Sequence, residues 1–257
     1  MDLLAYRSVS TVLNQYKMAR VENGNISGAI GNIVFYTMNG KNYAKAKSTP
    51  RKRKKNEPLS PQVQQFSTAS FYGTPVLNWL KPQLTFKFKR NTFNDFRKWL
   101  GFAIKQHENN ASWPLSVANT LLHNINRESE IRDMLLLLPT VTADKTGNIS
   151  IKFSSFIPVD QIKAPSGTTE VQLKLITVAA PFSNSKKNCL VQSAFYDFSY
   201  NQSRLGEKEM ILSTRAKTGY MLFVIIAMVF KKAKAGESIL VNDTEWLPAA
   251  IVAVGKL

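Results

Sequence analysis

Six strand-like segments follow one another in the second half of the chain, and they restrict this half to a β fold. They cover residues 148–153, 170–178, 189–195, 208–214, 219–230 and 249–253. In the second of them Val171, Leu173 and Leu175 alternate with polar side chains, which is the pattern of a strand with one buried face. Turn-forming residues separate the segments, and no segment of helical length intervenes. This spacing predicts an immunoglobulin-like, two-sheet β-sandwich over residues 139–257.

A β-hairpin is predicted nearer the start of the chain, where Asn39 and Gly40 separate two strand-like segments. Asn-Gly readily adopts the positive φ angles of a type I′ turn. The second strand alternates in composition, so that its lysines and a tyrosine share one face. Beyond it lies a loop that cannot be the interior of a helix, because Pro50 and Pro58 flank it.

Basic side chains dominate the segment that follows this turn. Between residues 41 and 55 the chain carries eight Lys and Arg and no acid, within a formal net charge of +17 for the whole protein. Lys and Arg neutralise phosphates, and exposed rings such as Phe35, Tyr36 and Tyr43 stack on unpaired bases. The pattern predicts contact with nucleic acid or another polyanion and suits single strands better than duplexes, although rings buried beneath a solvated loop would produce the same pattern. The predicted binding residues are Lys41, Tyr43, Lys45, Lys47, Arg51, Lys52, Arg53, Lys54 and Lys55.

A helix is predicted to begin at Pro61, because Ser60 and Pro61 form a favourable N-cap and first helical residue. Apolar residues then recur at near-helical spacing. Gly73 and Pro75 are expected to break or kink this helix.

Two further helical segments are predicted, one from Thr92 with a continuous apolar stripe and one over residues 114–124. They complete a short helical middle region, residues 59–138. The predicted fold is therefore α+β and mainly β, with an N-terminal β-hairpin and basic loop (18–58) ahead of the helical middle and the C-terminal sandwich.

The first 17 residues precede Met18, a second plausible start. They form either an N-terminal extension or a docking helix, because several apolar residues suit one helix face. They lack the features of a secretory signal peptide, and the longest apolar run, 220–230, is shorter than a membrane-spanning helix requires. We therefore expect synthesis in the cytoplasm and no transmembrane segment. The apolar residues are Leu3, Leu4, Val9, Val12, Leu13 and Tyr16.

The potential catalytic residues form no recognisable active site. Cys189 is the only cysteine, which excludes an intramolecular disulfide, and His107 and His123 are the only histidines. His123 has no second His or Cys at the spacing of metal ligands. We expect a protein that is not an enzyme and uses no cofactor or metal.

Residues 24–82 carry a resemblance to a known family. The matching segments are 27–34, 39–43, the proline-flanked basic loop, 59–66 and 79–82. They resemble a Bacteroidetes family of uncharacterised proteins, a domain of unknown function found in genomes and mobile elements. The chain differs from that family in lacking the usual arginine after Gln65 and in its dense Arg51–Lys55 run. The resemblance implies an N-terminal Gly-Asn hairpin motif and a C-terminal β-sandwich, implies no reaction or cofactor, and suggests by analogy a prophage or mobile-element component.

Two functional hypotheses follow. The first is a structural or assembly protein of a phage particle or mobile element, present in a virion or other assembly. Its sandwich would self-associate or bind protein partners, while its hairpin contacts nucleic acid or an acidic partner. The second is a soluble accessory nucleic-acid-binding protein that acts as a monomer or dimer.

Overall fold

The computed structural model describes residues 20–22, 24–48, 59–107, 113–116, 122–181, 189–234 and 237–257. The chain divides into two compact units, Met1–Pro58 and Leu59–Leu257. The predicted extension 1–17 and the basic run Arg51–Lys55 lie outside the described residues. The fold is α+β and mainly β, as the sequence predicts.

The first unit contains a four-stranded antiparallel sheet of consecutive strands. The strands are β1 Arg20–Glu22, β2 Asn25–Ile30, β3 Ile33–Met38 and β4 Lys41–Ala46. They pair in the order of the chain. Between β3 and β4, Asn39 and Gly40 have φ angles of 52° and 72°, so the predicted hairpin is confirmed.

Helices of the second unit lie before and between its strands. They are α1 Pro61–Leu80, α2 Arg90–His107, α3 Ile131–Met134 and α4 Pro158–Gln161, with 3₁₀ turns at Lys81–Gln83 and Thr244–Trp246. The predicted break in the first helix is wrong, since α1 runs continuously through Gly73 and Pro75. The missing side chain at Gly73 admits the ring of Phe96 from α2, and Pro75 faces solvent.

The strands of the second unit form two antiparallel sheets. They are β5 Trp113–Ser116, β6 His123–Asn124, β7 Thr140–Ala143, β8 Asn148–Phe153, β9 Thr168–Pro181, β10 Leu190–Ser199, β11 Lys208–Ser213, β12 Tyr220–Lys234, β13 Glu237–Leu240 and β14 Ala249–Lys256. The larger sheet has the order β10-β9-β12-β14-β5, with β13 on β12 and β6 on β14, and the smaller has the order β11-β8-β7. All six predicted strands are present.

The predicted helix over residues 114–124 is wrong. The described residues there belong to β5 and β6, and both strands pair with β14. Ser116 lies opposite Val254, and His123 lies opposite Ile251. Backbone pairing with the edge of β14 therefore determines the structure of the described residues in this range, and local helical spacing does not.

The central strands of the larger sheet are buried on both faces. Along β12, Leu222, Val224 and Ile226 enter a core shared with the smaller sheet, whereas Phe223 and Ile225 enter a second core beneath α1 and α2. Two sheets thus pack as a β-sandwich, and helices cover its outer side. The second unit accordingly contains both the predicted helical middle region and the predicted sandwich region.

Candidate nucleic-acid interface

One face of the β3–β4 hairpin gathers the lysines and tyrosines of the first unit. The register places Met38 opposite Lys41, Tyr36 opposite Tyr43 and Val34 opposite Lys45. Paired residues of antiparallel strands project to the same side of a sheet. We call this side the basic face; its residues are Val34, Tyr36, Met38, Lys41, Tyr43 and Lys45.

The two tyrosines of the basic face stack on each other. Their ring centroids are 5.5 Å apart and their planes are inclined by 20°. The Lys45 Nζ lies 5.3 Å from the centre of the Tyr36 ring, within the range of a cation–π contact. The two rings therefore stack on each other, and a positive charge lies over the ring of Tyr36.

Exposure and charge favour an anionic ligand on this face. Lys41, Lys45 and Lys47 are exposed, and Tyr43 retains 38% of its accessible surface. Glu22 is the only acid among the described residues of the first unit, and it pairs with Arg20 at 3.2 Å. The lysines therefore have no neighbouring carboxylate within their own sheet.

The structure brings together four of the predicted site residues and separates one aromatic from them. Lys41, Tyr43 and Lys45 lie on β4, and Lys47 follows the strand, its N–H donating to the Asn32 carbonyl at 2.6 Å. Phe35, expected to accompany the tyrosines, projects from the opposite face because it alternates with Tyr36. The other five predicted residues, Arg51 to Lys55, lie outside the described residues.

Asn42 holds the hairpin in shape, a role that sequence reasoning missed. Its Oδ1 accepts hydrogen bonds from the Ile26 N–H at 3.0 Å and the Thr37 hydroxyl at 2.8 Å, and its Nδ2 donates to the Gly24 carbonyl at 2.8 Å. Nearby in β2, Gly28 has a φ of 120°, a backbone conformation that favours glycine. One sequence feature could have indicated this role: Asn42 lies within a predicted strand, where asparagine is uncommon.

Two potential catalytic residues of the second unit, Cys189 and His123, pack against apolar and aromatic side chains. Burial raises the pKa of the Cys189 thiol to about 11, so the thiolate is scarce at neutral pH. Burial also lowers the pKa of His123 to about 4, and its ring stacks on Trp99 at 5.1 Å. Beside it, Arg127 pairs with Asp95 at 2.7 Å. These contacts attach β6 and the following loop to α2.

The described residues contain neither a candidate metal cluster nor a candidate membrane-spanning helix. They contain no group of three or more His, Cys, Asp or Glu side chains that could hold a metal ion. Among the described helices, none is both long and apolar enough to span a membrane.

Comparison with known proteins gave no relative. No family model matches the chain, and no match was found among curated proteins or solved structures. The resemblance to the Bacteroidetes family therefore stays a prediction, and the interface is judged by its own geometry.

Proposed function

We propose that this protein is a non-enzymatic structural or assembly protein whose basic face binds single-stranded nucleic acid. One observation carries the proposal: the hairpin register places Lys41 and Lys45 on the same face as a stacked tyrosine pair, and the exposed Lys47 follows them directly after the strand. Lysines release counterions from phosphates, and aromatic rings on a sheet can stack on unpaired bases. The predicted basic run Arg51–Lys55 follows these lysines in the chain and adds five positive charges to the sequence near them.

The edge strand β10 supports the assembly part of the proposal. Within the described residues β10 pairs only with β9, and it spans ten residues. Residues 190–196 carry neither a charge nor a proline, the devices that commonly protect a strand edge from pairing with another chain. Such an edge favours self-association or the addition of a partner's strand.

A second candidate function is a soluble accessory nucleic-acid-binding protein. The net charge of +17 favours it, because like-charged copies repel one another in the absence of a polyanion. Sedimentation separates the two candidates. A large or concentration-dependent species supports the assembly protein, and a fixed monomer or dimer supports the accessory protein.

Substitution of Lys41 and Lys45 of the basic face, together with the adjacent Lys47, tests the proposed ligand. The Lys41→Ala/Lys45→Ala/Lys47→Ala variant should bind single-stranded DNA and RNA about 100-fold more weakly at 0.1 M salt, if each lysine neutralises one phosphate. The matched control is Lys163→Ala/Lys208→Ala/Lys217→Ala, which removes the same charge from exposed positions of the second unit.

Fluorescence anisotropy with a labelled oligonucleotide measures both variants. The proposal requires that the hairpin variant lose far more affinity than the control. Equal losses would show that binding follows net charge alone, and the basic face would then have no specific role.

A further inference from the structure

Strand β10 forms one edge of the larger sheet. Directly after the strand, the Tyr200 N–H donates to the Thr169 carbonyl of β9 at 2.8 Å, in the register of the β9–β10 pair. Backbone groups of an antiparallel strand point alternately to its two sides, so the even-numbered residues of β10 bond to β9. The odd-numbered residues, from Val191 to Asp197, therefore point their N–H and C=O groups away from the sheet.

These outward backbone groups have no partner in the part of the chain that the structure describes. Within it, β10 pairs with β9 alone, and no other backbone group bonds to Ser193, Phe195 or Asp197. An added strand would satisfy these donors and acceptors together along its length, which a helix does not. The edge is therefore suited to pairing with a strand.

The side chains of β10 offer an exposed ring and a single charge to such a strand. Phe195 retains 51% of its accessible surface. Asp197 is the only charged residue of β10. The Gln172 amide at 2.7 Å and the Lys231 ammonium at 3.3 Å both contact its Oδ1. A hydroxyl on a partner strand could therefore donate to its Oδ2.

We infer that β10 pairs antiparallel with β10 of a second copy about a two-fold axis at Phe195, an inference that rests on the assembly part of the proposed function. Residues equally far from the axis then lie opposite each other. Phe195 lies opposite its own copy, and aromatic pairs across strands are stabilising. Ser193 lies opposite Asp197, so its hydroxyl donates to the carboxylate. On the other side of the sheet, the large Tyr196 lies opposite the small Ala194.

The position of Asp197 selects this register. With the axis one residue to either side of Phe195, the carboxylate would lie opposite an apolar side chain, Val191 or Phe195. With the axis two residues away, it would lie opposite the buried Cys189 or opposite its own copy, and like charges in that position are destabilising. Among these registers, only the axis at Phe195 places a hydroxyl opposite the carboxylate.

Local charge does not oppose the pairing, although the chain carries a net charge of +17. Lys231 Nζ lies 3.4 Å from the Glu170 carboxylate and 3.3 Å from the Asp197 carboxylate. Lys174 adds a second positive charge, 5.5 Å from the centre of the Phe195 ring. These two positive and two negative charges balance, and salt at 0.15 M screens exposed charges that lie more than about 8 Å apart.

Sedimentation velocity over about 1–200 μM protein, without nucleic acid, measures the pairing. Strand β10 offers ten residues, whereas stable interfaces use roughly 20–30 on each side. We therefore expect a dimer with a dissociation constant on the order of 10 μM.

Charge substitutions at the axis test the register. Phe195→Lys and Phe195→Glu should each weaken dimerisation by about ten-fold or more, because the ring pair is lost and like charges lie opposite each other. An equimolar mixture of the two variants should form a heterodimer about ten-fold tighter than either homodimer, because Lys then lies opposite Glu. The matched control is Phe102→Lys and Phe102→Glu on α2, where the ring is 49% exposed; these variants should dimerise like the wild type, alone or mixed.

A proline tests the backbone pairing. Ser193→Pro removes an N–H that points away from β9, a position where an edge strand tolerates proline. It should weaken dimerisation by about ten-fold or more and leave the urea midpoint of the dilute monomer nearly unchanged.

The possible failures are distinguishable. Self-association that the Phe195 and Ser193 variants leave intact would overturn the inference and leave the assembly protein standing on another surface. Weakening by both charge variants without recovery in their mixture would overturn the two-fold pairing at Phe195. A monomer at every concentration would overturn the inference together with the assembly protein, and oligonucleotide binding, measured separately by anisotropy, would then decide for the accessory protein.

Discussion

Two buried glycines in the long helices should respond in opposite ways to the same substitution. Gly73 of α1 and Gly101 of α2 both lie where the two helices pack. Alanine is favoured over glycine by about 1 kcal/mol in a helix, so the helix gains the same amount at both positions. The difference must come from the space that the new methyl group would occupy.

A methyl group at Gly73 has no room. Its Cβ would lie 3.1 Å from Cε1 and 3.3 Å from Cδ1 of Phe96, a fully buried ring held against Phe223 and Trp99. Overpacking of this kind costs about 1–3 kcal/mol. Gly73→Ala should therefore lower the free energy of unfolding by up to about 2 kcal/mol after the helix gain is subtracted.

A methyl group at Gly101 meets ordinary contacts. The nearest atoms to its Cβ would be the Gln65 Cγ at 3.4 Å and the Ala69 Cβ at 3.5 Å. Gly101→Ala should raise the free energy of unfolding by up to about 1 kcal/mol. Urea unfolding followed by tryptophan fluorescence measures both, since all four tryptophans lie in the second unit. A Gly73→Ala variant that is stabilised as much as the Gly101→Ala variant would refute the packing argument.

Three further predictions follow from the same contacts. Burial lowers the pKa of His123 from 6.5 to about 4, so the folded state resists protonation of this side chain. The free energy of unfolding should therefore be highest above pH 6.5 and fall by on the order of 2–3 kcal/mol towards pH 4. The His123→Phe variant should not show this fall. Gly147→Ala should lower the free energy of unfolding by about 2–4 kcal/mol, because φ is +82° and the new Cβ would lie 2.7 Å from the Ala216 carbonyl oxygen. Gly206 has open space around it, so Gly206→Ala should change the free energy of unfolding by less than about 0.5 kcal/mol in the same urea titration. In anisotropy titrations, Tyr43→Ala should weaken binding to single-stranded oligonucleotides by about 1–3 kcal/mol and leave binding to duplexes nearly unchanged. An equal loss of affinity for single strands and duplexes would argue against base stacking.

Local patterns in the sequence predict most of the individual elements. The run of 11 apolar residues from Tyr220 to Phe230 is the central strand β12, and Asn39-Gly40 forms the turn of the hairpin. The start of α1 at Pro61 follows from its capping pair. These features depend on neighbours in the chain, so a single sequence contains the needed information.

Contacts between distant segments explain the features that were missed. The segment from Trp113 to Asn124 has apolar residues at helical spacing, yet its described parts are strands because β14 offers a free edge. Gly73 is a helix-weakening residue that α1 retains because Phe96 occupies the space beside it. Alternation shows that Val224 and Ile225 face opposite sides, but it does not show that helices cover one of them.

The candidate site was predictable in part. Alternation along β4 correctly groups Lys41, Tyr43 and Lys45. The separation of Phe35 from the tyrosines also follows from alternation, once the strand is placed. The role of Asn42 could not be predicted, because it depends on hydrogen bonds to the backbone of Ile26 and Gly24, which are distant in the chain.

The salt dependence of nucleic-acid binding tests the central claim most directly. The logarithm of the binding constant for a single strand should fall linearly with the logarithm of salt concentration, with a slope of about 0.7 for each neutralised phosphate. Changing Arg51, Lys52, Arg53, Lys54 and Lys55 to alanine should reduce that slope by about 3–4, and the Lys41, Lys45 and Lys47 substitutions should reduce it by about 2. A slope that neither set of substitutions changes, or no binding by the natural protein at moderate salt, would contradict the account.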